Sequence, residues 1–497
     1  MYTQVLKNKV LQLAIEGKLV PQNENDEPIE YALEELKLKK EELISNKIIK
    51  KEKYNPQIAL NENLPNGWAY AKIGDISSIV TKQTGFDYSK HIKPNLENVK
   101  NDDNIPMIQT KNFTGYNFNT NTDYYIPNHI AKNFPKILLN QKCLLLSIVG
   151  ASIGNLGVFN LDNTCFLGGA ICKVNLLDDR FYDYIYYFLQ SSKGQVEIKK
   201  NYKSTAQGTI TVQDVREIIV PLPPLEEQKR IVAKVDSLFK LIDELDSNKR
   251  DLLQNISDAR KKVLQLAIQG KLVSQNESDE PASVLLGKIK SEKEQLIKDK
   301  VIKKEKLLPE ITDDEKLFDL PSGWEWCRLG EISFKITDGS HNPPKGEENC
   351  TEYIMLSSQN INNNGLVNLE KSRFLSEHNY EIENKRTNVN KGDILLTIVG
   401  TIGRSCIYTN ELKITLQRSV GVIDTKYCNK YVKYLLDSPY AQNYFKTNSS
   451  GTAQKGIYLN QLKLTTLPLP PLEEQKRIVA KVDAIMNYLD ILEKEIK

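Results

Sequence analysis

Residues 221–236, PLPPLEEQKRIVAKVD, return without a single change at residues 468–483. Identity over such a length inside one chain means duplication, and two further blocks extend it. LQLAIEGKLVPQNENDEP (11–28) returns as LQLAIQGKLVSQNESDEP (264–281), and LPNGW (64–68) as LPSGW (320–324). The offset is roughly 250 residues, the kind of internal period to look for before any other feature. Between these blocks the copies keep looser echoes, SIVGASIG (147–154) facing TIVGTIG (397–403) and STAQGTI (204–210) facing GTAQKGI (451–457). The stretches 75–143 and 331–394 share little, so one scaffold is used twice with two different surfaces.

The order of the blocks carries a second message. The central segment Glu226–Lys271 is continuous, whereas its counterpart is cut in two, with one half at Glu473–Lys497 and the other at Met1–Lys18. The repeat is therefore circular, and it closes only if both ends of the chain dock beside the central segment.

That segment reads as a long helix. Apolar residues fall at Ile231, Val235, Leu238, Ile242, Leu245, Leu252, Ile256, Ala259, Val263 and Leu266, with Lys249 as the one break. Alternating steps of four and three make a heptad seam. The terminal pieces continue the register through Ile478, Val482, Ile485, Leu489, Leu492 and Ile496, and through Leu6, Val10 and Leu13. Prolines precede the helix, and Glu226 and Glu227 (Glu473 and Glu474 in the copy) fall in its first turn, where the helix dipole favours negative charge. About 40 residues at 1.5 Å each would span about 60 Å. An intramolecular antiparallel coiled coil, central helix against the terminal pair, is the expected outcome.

At 497 residues, with 40% hydrophobic and 26% charged residues, the chain suits two globular domains. A net charge of +3 creates no global positive field, so any contact with a polyanion must come from local patches. The seven cysteines include no C-x-x-C pair and only four histidines accompany them, which argues against a zinc site or a disulfide framework. The first residues are interrupted by charges and no long apolar run follows, so a cytoplasmic, membrane-free protein is expected.

Each domain opens on Gly-Trp in a period-two pattern, Trp68/Tyr70 and Trp324/Trp326, running into KIGDIS or RLGEIS, an opening strand. LLLSIVG and ILLTIVG read as strands ending at the glycine turns Gly150/Gly154 and Gly400/Gly403. Phe181, Tyr184, Ile185 and Phe188, and Tyr431, Tyr434 and Leu435, mark amphipathic core helices. The linkers 20–63 and 273–319 read as a short helix and a basic turn, with lysines forming a solvated face. Each domain is thus an α+β unit of short strands with a C-terminal helix.

Amide-rich polar loops interrupt this scaffold. In the first domain they hold Lys82, Gln83, Thr84, Gln109, Lys111, Asn112, Lys203, Ser204 and Gln207. In the second they hold Thr337, Ser340, His341, Asn342, Lys345, Ser358, Gln359, Asn360, Arg404, Arg418, Gln454 and Lys455. Such side chains read base edges and hold phosphates. Their place on unlike surfaces of like scaffolds makes them candidate DNA contacts.

LPPLEEQKRIVAKVD with LQLAIQGKLV, the QNESDEPASVLL linker, the LPSGWEW opening, ITDGSHNPP and GTAQKGI resemble Type I restriction-modification specificity subunits, over essentially the whole chain and twice. The resemblance implies two target-recognition domains, here 64–225 and 320–471, each reading one half of a bipartite DNA site. They would be joined by the central helix (226–272), the charged linkers (21–63 and 273–319) and the split distal helix (1–20 and 472–497). The fold class expected is α+β: two mixed α/β domains separated by a long antiparallel coiled coil, with circular internal pseudo-symmetry. Two groove readers on a rigid spacer engage half-sites about one or more helical turns, roughly 34–36 Å, apart.

The resemblance further implies that two modification subunits dock on the helices and methylate adenine with S-adenosylmethionine, while restriction subunits cut DNA with ATP and Mg. No cofactor is expected in this chain itself. The one near match to a methyltransferase motif, Asn342-Pro343-Pro344, continues into Lys345 where an aromatic is needed, and reads as a loop. There is no G-x-x-x-x-G-K-[ST] phosphate loop, and the carboxylates Glu381, Glu383 and Asp393 read as surface or strand-end residues. A specificity chain of another modification system and a coiled-coil scaffold that reads no DNA are the competing expectations.

Overall fold

The computed structural model describes residues 2–51, 58, 63–114, 117–202, 208–451 and 455–497. It resolves into two compact units, Met1–Asn248 and Lys249–Lys497, with the boundary inside one uninterrupted helix of 44 residues, Leu225–Ile268. At 1.5 Å per residue this central helix is about 66 Å long.

In the first unit the N-terminal helix, Tyr2–Ile15, runs antiparallel to the first half of the central helix. Lys7 pairs with Asp243 at 2.7 Å, while the chain just past the helix meets Trp68, whose Nε1 donates to Glu227 at 2.9 Å. In the second unit the C-terminal helix, Leu472–Ile496, runs antiparallel to the other half. Arg260 bridges Asp490 and Glu493, and the Lys249 ammonium donates to the Lys497 carbonyl.

The same small set of contacts ties the helices to the rest of each unit. Trp324 Nε1 donates to Glu474 at 3.0 Å as Trp68 does to Glu227. Arg230 meets Asp26 and Arg477 meets Asp279, both at 2.6 Å. Glu227 and Glu474 are therefore more than dipole partners: both are buried, and burial pushes both carboxyls above the usual range.

Along the central helix Ile231, Val235, Ile242 and Ile256 are buried, and Leu238, Val263 and Leu266 half-buried. Leu245 and Leu252 are instead 63% and 50% exposed, so the regular heptad series does not survive through the middle. After Ile242 the covered stripe passes through Asp246, Lys249, Leu253, Ile256, Arg260, Leu264 and Ala267. Its mean step is near 3.6, the period of a straight helix, from which a strict heptad drifts by about 20° per repeat. On the terminal helices Ile478, Val482 and Leu489 are buried, and Ile485, Leu492, Ile496, Leu6, Val10 and Leu13 half-buried. Ile256→Ala is expected to cost about 2–5 kcal/mol, and Leu252→Gln no more than about 0.5 kcal/mol. Equal losses of melting temperature in the two variants would restore the heptad register.

The body of each unit is mixed α/β. Ala69–Lys72 pairs with Ile219–Leu222, and Glu325–Arg328 with Thr466–Leu469, so the opening strand of each copy is closed by the strand that leads into the long helix. KIGDIS turns sharply after Lys72, and Leu329–Ile332 forms one helical turn, so the opening strands are shorter than the sequence pattern suggests. In the first unit a four-stranded sheet orders Ser77–Thr81, Ile171–Leu176, Cys143–Ser147 and Leu156–Phe159; in the second, Lys335–Asp338, Val420–Asp424, Ile394–Thr397 and Ser405–Ile407 are ordered likewise. The SIVG and TIVG segments turn at Gly150 and Gly154 or Gly400 and Gly403, all at positive φ, in loops longer than a tight hairpin.

Beside this lies a second sheet built on a parallel pair, Asn104–Ile108 with Cys165–Leu167 in the first unit and Tyr353–Leu356 with Lys413–Leu416 in the second. The aromatic helices Tyr182–Gln190 and Asn429–Asp437 fill the cores with Tyr184, Phe188, Tyr431 and Leu435, and each is followed by a further helix, Ser192–Lys199 or Pro439–Asn448.

The linker helices Ile29–Ser45 and Ala282–Lys298 dock rather than float. Lys40 donates to the Gly74 carbonyl, and Lys293 at the matching place to the Gly330 and Ser333 carbonyls at 2.9 and 3.0 Å. These lysines leave the solvated face the sequence assigned them because the carbonyls of the turn after the opening strand need donors. Six cysteines are buried and Cys350 is exposed. Burial raises the Cys143 and Cys165 thiols to about 12 and those of Cys406 and Cys428 to about 11. No described helix is long and apolar enough to cross a membrane.

Candidate nucleic-acid interface

Strands that run parallel end on the same side, so the loops that follow them are brought together, as they are beyond the carboxyl ends of open α/β sheets. In the second unit three loops meet there. The first follows Lys335–Asp338. Gly339 has no room for a side chain, since a Cβ would lie 2.0 Å from the Leu416 carbonyl oxygen. The close approach lets Ser340 N–H donate to that carbonyl at 2.8 Å, and the Arg418 N–H donate to the Ser340 carbonyl at 2.9 Å.

The second loop is the turn Ser358–Asn360 after Tyr353–Leu356. The Asn360 side chain accepts from Ser357 N–H at 2.9 Å and donates to the Asn368 carbonyl at 3.1 Å and to Ser372 Oγ at 3.0 Å. Asn360 is buried and its amide is occupied in shaping the loop. Arg404, from the Gly403 turn, donates to the Ser358 carbonyl at 2.6 Å.

Gln417–Ser419, after Lys413–Leu416, is the third loop. Gln417 N–H donates to the Leu356 carbonyl at 2.8 Å, and Ser419 Oγ accepts from Ser358 N–H at 3.1 Å. The loops enclose an open cavity of about 630 Å³ lined by Gln359, Lys371, Arg373, Gly400, Gln417 and Arg418 among others. The Lys455 carbonyl accepts from Gly400 N–H at 3.0 Å, which brings the described end of the GTAQK segment to the same rim.

His341 bonds the buried Asp338 carboxylate through Nε2 at 2.8 Å, and Arg386 holds its other oxygen. Asn342 and Lys345 are exposed farther along that loop, while Thr337 is half-buried within the strand. Arg373 donates to the Pro343 carbonyl at 3.2 Å, so the Asn-Pro-Pro segment is a loop clamped from beneath. Asp393 is a strand-end residue but not a surface one: it is buried, pairs with Lys335 at 2.6 Å, and burial raises its carboxyl above the usual range. Glu381 is exposed on the helix Glu377–Thr387, with the half-buried Glu383 two residues on.

The first unit builds its corresponding edge from different side chains. Gln109–Asn112 forms the same kind of capped turn: Asn112 Oδ1 accepts from Gln109 N–H at 2.7 Å, and Nδ2 donates to the Asn121 carbonyl at 2.7 Å. Asn112 is fully buried. Gln83, on the loop after Ser77–Thr81, donates to the Leu167 carbonyl, and a Cβ on Gly168 would lie 2.2 Å from the Ile108 carbonyl oxygen. Lys82 is half-buried, and Thr84 and Lys111 are exposed, the latter paired with Asp123. The Gln109 side-chain oxygen is buried with no partner among the described residues. Lys203, Ser204, Gln207 and Gln454 lie outside the described residues.

The sequence reading missed Lys371, Arg373 and Gln417. Lys371 and Arg373 stand in EKSRF, inside the stretch where the copies stop matching, and that mismatch was the available signal. No group of three or more His, Cys, Asp or Glu able to hold a metal occurs among the described residues.

Two similar scaffolds thus present unlike polar loops, each at the end of a parallel pair. The sequence model for the Type I restriction modification DNA specificity domain matches residues 65–255 and 321–497, well over half of the chain. The chain belongs to this family, the DNA-recognition and non-catalytic subunits of Type I restriction-modification systems. The specificity subunits of the Escherichia coli Type I enzymes EcoAI and EcoEI are 29% and 26% identical to it, each over 99% of this chain and 90% of its own length. The solved HsdS subunit from Thermoanaerobacter tengcongensis superposes with a TM-score of 0.50 at 17% identity, covering 88% of this chain and 93% of that one. A chain from a solved type I R-M system gives 0.53 at 18%, covering 88% and 94%.

Proposed function

We propose that each unit reads one half of an asymmetric bipartite DNA site, through the loops at the carboxyl end of its parallel strand pair. The observation that carries this reading is the cavity of the second unit, where Gln359, Lys371, Gln417 and Arg418 stand on backbone held by hydrogen bonds. Donors and acceptors fixed in advance suit base edges, and cations at a rim suit phosphates. Gln83, Lys82 and Lys111 take that part in the first unit. Because the two sets differ, the half-sites differ. Asn112, Asn360 and Arg404 act by holding the loops in shape.

The helices space the two readers, in a circular pseudo-symmetric arrangement in which the two terminal helices together match the central one. They also dock two methyltransferase subunits, one per unit. Exposed apolar pairs support this: Leu241 and Leu245 at i, i+4 on the central helix, and Tyr488 and Ile491 at i, i+3 on the C-terminal helix. Restriction subunits complete the assembly in the cytoplasm. S-adenosylmethionine, ATP and Mg belong to those partners.

The test is long-read adenine-methylation mapping of DNA from cells that express this chain with its cognate modification subunit. The intact chain is compared with one whose residues 320–467 come from a different specificity chain. A methylated bipartite motif that changes in one half only is the expected result. An unchanged motif, or methylation without sequence dependence, would leave the helical scaffold as the better reading.

A further inference from the structure

Five arginines fall within residues 320–471, and four of them serve the fold. Arg328 is buried in a network of carbonyls and carboxylate oxygens, and Arg373 and Arg404 donate to the Pro343 and Ser358 carbonyls. Arg386 holds the Asp338 carbonyl and carboxylate. Arg418 is exposed, and among the described residues its guanidinium has no hydrogen-bond or ion-pair partner.

The backbone that carries it is nonetheless fixed. Its own N–H is held by the Ser340 carbonyl at 2.9 Å, and the neighbouring Gln417 donates to the Leu356 carbonyl at 2.8 Å and accepts from Val420 N–H at 3.0 Å. With the backbone already held, binding orders only the side-chain torsions, and the guanidinium fork is itself planar. It also presents two parallel N–H groups to a bidentate acceptor. In the DNA major groove that acceptor is guanine, through O6 and N7.

The first unit makes the comparison informative. Residues 64–225 contain two arginines, Arg180 and Arg216. Arg180 clasps Asp178, and Arg216 donates to the Val80 carbonyl at 2.9 Å. No arginine there is placed as Arg418 is. We infer that Arg418 is the residue through which the second unit requires a guanine in its half-site. This rests on the DNA-reading proposal above and names the contact within it.

The experiment is methylation mapping with the complete complex carrying Arg418→Ala or Arg418→Lys, beside the unaltered chain, with melting curves of the purified variants. Arg418 is exposed, so unchanged melting is expected. In the half assigned to residues 320–467, one G·C position should relax in Arg418→Ala, its discrimination falling roughly 5- to 150-fold. The other half of the motif should stay intact. Arg418→Lys should recover part of the preference. A guanine requirement undiminished in Arg418→Ala, relaxation confined to the other half, or a second half-site without a G·C pair would overturn the inference while leaving the two-reader function standing. Absence of any bipartite motif with the unaltered chain would overturn both.

Discussion

Arg328→Ala is expected to cost the second unit about 3 kcal/mol, the lower end of the range for breaking a buried ion pair, because the Glu315 side chain keeps about a third of its surface in solvent. Arg328 is 3% exposed and its guanidinium satisfies the Pro309, Glu310 and Leu464 carbonyls, Thr466 Oγ1 and both oxygens of Glu315. Truncation takes the guanidinium donor from the Pro309, Glu310 and Leu464 carbonyls, while Glu315 keeps only the Thr312 N–H and hydroxyl and the Thr466 hydroxyl. The loss should appear as a lower thermal or urea midpoint, and an unchanged midpoint would show that water replaces the guanidinium without penalty. The pH dependence follows from the same pair. Arg328 holds the Glu315 carboxyl down at about 2, below its ordinary 4.5. A carboxyl depressed on folding stabilises fully above its unfolded value. That contribution therefore fades as pH falls from about 4.5 towards 2. Arg328→Ala should show less of this acid sensitivity than the unaltered chain.

Gly339→Ala is the second large effect, and its main readout is recognition. The added Cβ would lie 2.0 Å from the Leu416 carbonyl oxygen and 2.5 Å from that of Gln417. Neither can yield cheaply, since Leu416 accepts from Ser340 and the peptide of Gln417 is tied to Leu356. The strand end and the Ser340–Lys345 loop must part, at a cost near the upper end of about 1–3 kcal/mol. The rim carrying Arg418 moves with them. With base contacts worth about 1–3 kcal/mol each, displacing two should lower methylation of cognate sites more than tenfold. A stable variant that methylates normally would place the reading surface elsewhere.

The scaffold was legible because repetition constrains it. A helix that must pair twice announces itself in Ile231, Val235, Ile478 and Val482, and the indole–carboxylate contact recurs because Trp68 and Trp324 recur with Glu227 and Glu474. Less legible was which leucines face inward at mid-helix. Leu245 and Leu252 fit a heptad on paper, and the difference between 3.5 and 3.6 residues per turn, accumulated over several turns, carries them to the outside. The candidate contacts were legible by composition but not by role. Asn360 and Gln359 are neighbours of similar chemistry on the same cavity, yet one is buried with its amide bonded to its own loop while the other is exposed. That distinction depends on which side chain meets a carbonyl after the parallel strands have closed, which no spacing rule encodes.

Six buried thiols against one exposed Cys350 make the unaltered chain a ready-made single-site reagent for spectroscopy. The buried thiols are shut off by packing, and a thiolate is the reactive species, so a maleimide dye or spin label would collect at Cys350 without mutagenesis. That position lies four residues beyond Gly346, which packs on Arg373 of the cavity wall. A reporter attached there would sit just before the amino end of Tyr353–Leu356, one strand length from the loops at its carboxyl end, and would mark the second unit while leaving the first unlabelled.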